Sequence, residues 1–238
     1  LLILQVLLTE AQLEQWGWRI PFAIGGLLAV VVFVMRRNIA ETDAFATVGD
    51  ADRRKVGALT LFREHPRAVA TVVFMTAGGT LAFYAYSTYM QKFLVNTAGF
   101  GREAATGIMA AALLVFMLLQ PVAGALSDRV GRRPLLIAFG VAGVIFTVPI
   151  FSALENATTW FGAFTLIVAA LVIVTGYTSI NAVVKAELFP ANIRTLGVAL
   201  PYALANTAFG GTAEYVALSL KQAGLERGFY WYVTAMIA

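Results

Sequence analysis

Residues 160–184 read WFGAFTLIVAALVIVTGYTSINAVV, and no charged side chain lies between Glu155 and Lys185. An α-helix needs about 20 residues to cross the ~30 Å hydrocarbon core of a bilayer. A run this long and this apolar reads as a membrane-spanning helix, because a backbone inside lipid must satisfy its own hydrogen bonds. Outward from it the same reading repeats. Upstream lie Pro134–Phe151, Glu103–Leu126, Ala68–Phe93 and Trp18–Met35; downstream lies Leu196–Leu220. Proline inside several of these runs (Pro121, Pro149, Pro201) is tolerated in membrane helices, where neighbouring helices re-satisfy the freed backbone.

The composition agrees. The 238 residues are 60% hydrophobic and 13% charged, with a mean hydropathy of +0.79. A soluble domain carries about 25% charged residues. Half of that is too little charge to cover a water-facing surface of this size, so lipid is the expected solvent for most of the chain. There is no cysteine, which excludes disulfide scaffolds, thiolate metal sites and cysteine nucleophiles.

The net charge of +4 is a topology signal. Arg36, Arg37, Arg53, Arg54, Lys55, Arg63, Arg67, Arg129, Arg132, Arg133, Lys185 and Arg194 fall on one side of the expected spans. Arg19, Arg102, Lys221 and Arg227 fall on the other, with Lys92 near a helix end. The rich side is expected to be cytoplasmic, and nucleic acid is not an expected partner. The polar stretch 36–67 mixes signs and joins two spans, as a linker between helical bundles does. Within it Leu59, Leu61 and Phe62 suit one short interfacial helix, and His65 reads as a solvated loop residue.

Three motifs on the basic side carry a resemblance. Gly124-Ala-Leu-Ser-Asp128-Arg129-Val-Gly131-Arg132-Arg133 is similar to the signature loop of the major facilitator superfamily. Glu187-Leu-Phe-Pro190-Ala-Asn-Ile-Arg194 resembles the Glu-x-x-Pro-x-x-x-Arg pattern in the equivalent loop of sugar-porter relatives, and Arg37-x-x-x-Glu41-Thr42 a third family pattern. Trp16-Gly17-Trp18-Arg19-Ile20-Pro21-Phe22 resembles a string of the metabolite:proton symporter family within that superfamily. The stretches 89–99, 209–221 and 229–234 are similar to the branch of that family that carries 2-oxoglutarate.

The resemblance runs along the whole chain. It implies an all-α membrane protein of the major facilitator fold, comprising the C-terminal six-helix bundle and the end of the N-terminal bundle. Residues 1–35 are expected to be the last helices of the N-terminal bundle, 36–67 the cytoplasmic linker, and 68–238 the C-terminal bundle with a truncated final helix. The apolar runs Leu1–Leu8 and Tyr230–Ala238 fit parts of helices, so the rest of the N-terminal bundle is an expected partner. The implied function is proton-coupled symport of a dicarboxylate, 2-oxoglutarate first, across a bacterial cytoplasmic membrane by alternating access. Citrate, shikimate, or betaine and proline are alternative substrates, and a non-transporting membrane sensor is the alternative of another class. No P-loop, dinucleotide fingerprint or zinc helix is present, so an enzyme, a cofactor and a metal are not expected.

A polar group in lipid is costly and is expected to face a cavity or another helix. Arg19 suits a bidentate carboxylate contact, or equally a snorkelling interfacial arginine between Trp18 and the headgroups. Tyr84, Ser87 and Gln91 recur at helical spacing and suit a wet face. Lys92 suits either an anion path or the extracellular headgroups. Tyr177, Asn181 and Lys185 climb one face of the next polar helix; Asn181 suits substrate or helix–helix contact, and Lys185 reads as a topology charge. Tyr202, Asn206, Gly210 and Glu214 share a third stripe. Glu214, the one acid clearly inside a span, suits either proton coupling or a fixed ion pair. The resemblance adds a cytoplasmic gate of Asp128, Arg129, Gly131, Arg132, Arg133, Glu187 and Arg194. Asp128 suits pairing with a cation, and Gly131 a tight backbone turn.

Overall fold

The computed structural model describes residue 4 and residues 7–37 and 57–238. The chain divides into two compact units, residues 1–49 and 50–238, each described by itself. Most of the expected linker, with Glu41 and Thr42, and most of Leu1–Leu8 lie outside the described residues.

The first unit is one long helix and its lead-in. Thr9 and Gln12 cap each other: the Thr9 amide donates to Gln12 Oε1 at 3.0 Å and the Gln12 amide to Thr9 Oγ1 at 3.3 Å. This reciprocal pair satisfies two donors that a helix start leaves free. A π-helical turn over Leu13–Gly17 then leads into α1, Arg19–Arg37. Arg36 and Arg37 occupy its last turn, where cations complement the helix dipole. No residue of α1 is buried.

In the second unit α2 (Ala58–Glu64) is the short helix expected there: Leu61 is fully buried while Leu59 and Phe62 face outward. Next come α3 (Pro66–Tyr86), α4 (Thr88–Asn96), α5 (Arg102–Val130) and α6 (Arg132–Glu155). They are followed by α7 (Trp160–Thr178), α8 (Asn181–Glu187) and α9 (Arg194–Ala205). A π-helical turn, Asn206–Gly210, leads to α10 (Ala213–Gln222) and α11 (Glu226–Ile237). No strand occurs among the described residues. Among the described residues five helical stretches are long and apolar enough to cross a membrane: Leu13–Arg37, Pro66–Tyr86, Arg102–Val130, Arg132–Glu155 and Trp160–Glu187.

Three expected continuous spans are broken. At Ser87 the hydroxyl and the amide both donate to the Phe83 carbonyl, at 2.5 and 3.0 Å. At Ser179 both donate to the Thr175 carbonyl, at 2.8 and 3.2 Å. A side chain that competes for the i−4 carbonyl bends or ends a helix. The expected span Leu196–Leu220 is interrupted where the Gly211 amide reaches back five residues to the Asn206 carbonyl at 2.9 Å.

The helices pack closely. Helix α7 lies against α3, α5 and α6, and α11 against α3 and α6. An aromatic cluster of Tyr86, Tyr89, Phe93, Phe151, Phe229 and Tyr230 joins α3, α4, α6 and α11, every member at most 2% exposed. The buried Tyr86 hydroxyl shares a hydrogen bond with Thr147 Oγ1 at 2.5 Å. Among the described residues no buried side-chain polar atom lacks a partner, as a low-dielectric interior demands.

Candidate functional site

Polar side chains on six helical segments converge on one cavity of the second unit, about 300 Å³ in volume. Tyr84 comes from α3, Gln120 from α5, Tyr177 from α7, Asn181 from α8, Tyr202 from α9, and Asn206 from the π-helical turn. Gln120 is held by Thr178, whose hydroxyl donates to its Oε1 at 3.0 Å. The breaks described above shape this wall. Asn181 stands first in α8 because α7 ends at Thr178, and Asn206 opens the π-helical turn. Gly79 lets α3 approach α7, since a Cβ there would collide with the Tyr177 ring.

Four of the expected substrate residues, Tyr84, Asn181, Tyr202 and Asn206, therefore line one cavity. Gln91 lies elsewhere: it is exposed, and its Nε2 donates to Thr106 Oγ1 at 2.9 Å. Lys92 on α4 and Glu214 on α10 form an ion pair with each other. Of the two roles open to Glu214 in the sequence, the structure displays the ion pair, with a partner in this same unit. Arg19 belongs to the first unit, where its Nη1 donates to the Gln15 carbonyl at 2.6 Å and its guanidinium lies 4.6 Å from the Trp18 ring centroid. His65 is half-buried, edge-on to Phe189 with ring centroids 6.3 Å apart.

Lys185 was misread as a topology charge. It is 1% exposed, although it sits near the basic end of its span. Its Nζ donates to Tyr177 Oη at 2.9 Å and to Asn181 Oδ1 at 3.2 Å. The ammonium lies 4.6 Å from the Tyr202 ring centroid and 5.2 Å from that of Tyr177. The signal was present in the four-residue spacing of Tyr177, Asn181 and Lys185, which puts all three on one face.

On the basic face Arg132 links three neighbours. Its Nη1 donates to Asp128 Oδ1 at 2.9 Å and to Ser127 Oγ at 3.1 Å, and its Nε to Glu187 Oε1 at 3.4 Å. This ties the end of α5, the start of α6 and the end of α8. Arg194 Nε donates to the Phe189 carbonyl at 3.3 Å, and Arg129 and Arg133 are exposed. Gly131 separates α5 from α6 with φ +90° and ψ 166°, a conformation that costs a side-chain-bearing residue about 1–3 kcal/mol. Gly131→Ala is expected to cost about 2 kcal/mol of stability on that ground. Asp128→Ala, which breaks an ion pair whose carboxylate is 71% exposed, is expected to cost under ~1 kcal/mol. Unfolding midpoints in detergent check the order.

On the opposite face Lys221 donates to the Asn96 carbonyl at 2.9 Å and to Glu226 Oε1 at 3.3 Å, and Glu155 accepts from Tyr230 Oη at 2.8 Å and Arg227 at 3.2 Å. Among the described residues no group of three His, Cys, Asp or Glu side chains could hold a metal ion.

Long apolar helices around a cavity with polar side chains in its wall define a polytopic membrane protein. The family model described as Major Facilitator Superfamily matches residues 3–213, and the chain belongs to that superfamily. The chain is 53% identical over 98% of its length to the alpha-ketoglutarate permease of Escherichia coli, covering 54% of that protein. It is 31% identical to a citrate-proton symporter of Klebsiella pneumoniae, over 91% of this chain and 49% of the relative. It is 30% identical to the ectoine/proline transporter ProP of Corynebacterium glutamicum, over 88% of this chain and 44% of the relative. The chain thus spans about half the length of the curated relatives it matches. No solved structure matches it.

Proposed function

We propose that the chain is part of a secondary transporter that carries 2-oxoglutarate with protons across a bacterial inner membrane. The observation that carries this reading is the cavity of Tyr84, Gln120, Asn181, Tyr202 and Asn206 inside an otherwise apolar bundle. Tyr84 and Asn206 offer neutral hydrogen-bond donors to an oxygen-rich solute, and the volume suits a small metabolite. The 53% identity to an alpha-ketoglutarate permease favours 2-oxoglutarate over the solutes named for the more distant relatives. The citrate and ectoine/proline carriers supply the second reading, a symporter for another metabolite.

In this reading residues 68–238 form one wall of a two-bundle carrier, and residues 1–35 belong to the other bundle. Alternating access rocks the walls about the site. The Asp128–Arg132–Glu187 cluster closes the cytoplasmic side and opens when the helix ends separate. The Lys92–Glu214 pair stands apart from the cavity and serves the extracellular side. The lipid bilayer, a proton and the organic acid are the partners.

Uptake of labelled 2-oxoglutarate into liposomes containing the full-length gene product tests the substrate. Unlabelled 2-oxoglutarate is expected to compete fully at low excess, citrate weakly, and proline or glycine betaine not at all. Full competition by citrate or betaine, with none by 2-oxoglutarate, would overturn the substrate assignment while leaving the superfamily in place.

A further inference from the structure

The second unit holds several basic side chains, and one is set apart. Arg132, Lys221 and Arg227 are ion-paired near the ends of helices, and Lys92 is ion-paired from the middle of α4. Lys185 is the most buried of the cations, and no carboxylate pairs with it among the described residues. Its three close neighbours, Tyr177, Asn181 and Tyr202, all line the cavity. A cation taken out of water is costly unless something compensates it. Here the compensation is a hydroxyl, an amide oxygen and the π faces of two rings.

We propose that Lys185 binds a carboxylate of the transported acid, and that the Tyr202 ring holds its ammonium in the empty site until that carboxylate takes its place. This rests on the reading of the protein as an organic-acid carrier.

An ammonium has three N–H donors. Two are taken up by Tyr177 Oη and Asn181 Oδ1, which aim the group, and the Tyr202 ring centroid lies 4.6 Å from the nitrogen. A carboxylate offers the third donor a charge-assisted hydrogen bond, a stronger partner than a ring face. Tyr202 can yield, because it is 39% exposed on α9 and lines the cavity. Asn181 and Tyr177 stay in place as the second layer of the site. One cation receives one carboxylate; the rest of the acid extends toward Gln120, Tyr84 and Asn206, all neutral.

The test is equilibrium binding of labelled 2-oxoglutarate and citrate to the detergent-solubilised full-length protein, with Lys185→Met, Lys185→Gln, Lys185→Arg and Tyr202→Leu. Loss of the charge in Lys185→Met and Lys185→Gln is expected to raise Kd at least about tenfold, as for other hydrogen bonds to a charged group. Lys185→Arg is expected to keep most of the affinity, because the charge remains. Tyr202→Leu is expected to lower Kd about threefold, because the competing ring is gone. Methionine and glutamine fill the space of lysine without its charge, and size-exclusion profiles verify folding; if either variant misfolds, the other charge-removing variant and the direction of the Tyr202→Leu effect still decide. Wild-type Kd in Lys185→Gln, or weaker binding in Tyr202→Leu than in the wild type, would overturn the proposal. Binding of citrate in place of 2-oxoglutarate would sink the substrate assignment alone, since the variant ratios are then read with citrate. Binding of neither acid would overturn both.

Discussion

Gly78→Val is expected to abolish accumulation of folded protein. A Cβ at Gly78 would overlap the carbonyl oxygen of Met236 and stand 3.1 Å from its carbonyl carbon, on α11. Backbone cannot rotate aside as a side chain can, so α3 and α11 would have to part. Small residues at such crossings let membrane helices approach closely, and close approach is the main source of their attraction in lipid. Overpacking of this kind costs about 3 kcal/mol or more, a large share of a typical stability of ~5–15 kcal/mol. The adjacent Gly79 provides the contrast. Its Cβ would strike the Tyr177 ring, which is a side chain. Gly79→Val is expected to lose less stability than Gly78→Val but to displace Tyr177 from the cavity wall and weaken solute binding. Detergent-solubilised yield, elution profile and thermal midpoint check both. A Gly78→Val protein with the wild-type midpoint would contradict the helix crossing described here.

The second large effect is expected at Phe151, where Phe151→Ala should cost about 3 kcal/mol. Phe151 is fully buried, stacked on Tyr230 with centroids 4.7 Å apart and planes at 10°, and edge-on to Phe93 at 5.3 Å. It therefore connects α6 to both α11 and α4. Helices separated in lipid keep their apolar faces in an apolar solvent. The loss is then mainly of dispersion contacts around an unfilled space, rather than of water exclusion. Phe151→Leu, which refills part of the volume, is expected to recover a large share of the lost midpoint. Equal midpoints for Phe151→Ala and wild type would show that the aromatic cluster does not hold these helices together.

The membrane-crossing runs were legible in the sequence because the cost of charge in lipid is large and writes itself as long uncharged stretches. The breaks inside those runs were not. Ser87 and Ser179 are ordinary helix residues by composition; at each the hydroxyl turns back onto the carbonyl four residues earlier, a bond that composition does not show. The π-helical turn at Asn206–Gly210 packs on α3, with Gly210 against Thr80 and Tyr84, so its cause lies in another element. The site was legible to the same degree. Stripes at helical spacing marked Tyr84, Asn181, Tyr202 and Asn206, which do meet. Lys92 and Glu214 were each noticed, but their pairing depends on the contact of α10 with α4, two elements far apart in the chain. Lys185 was misassigned because charge counting assumes that a cation near a span's end faces water, whereas Tyr202 of α9 lies over this one.

The most direct measurement is accumulation of labelled 2-oxoglutarate by liposomes containing the full-length gene product, inside acidified or alkalinised relative to the bath, with and without a protonophore. Proton-coupled symport predicts uptake above the external concentration only when the outside is more acidic, and its collapse on adding the protonophore. Uptake that stops at the external concentration in every gradient would contradict coupling to protons.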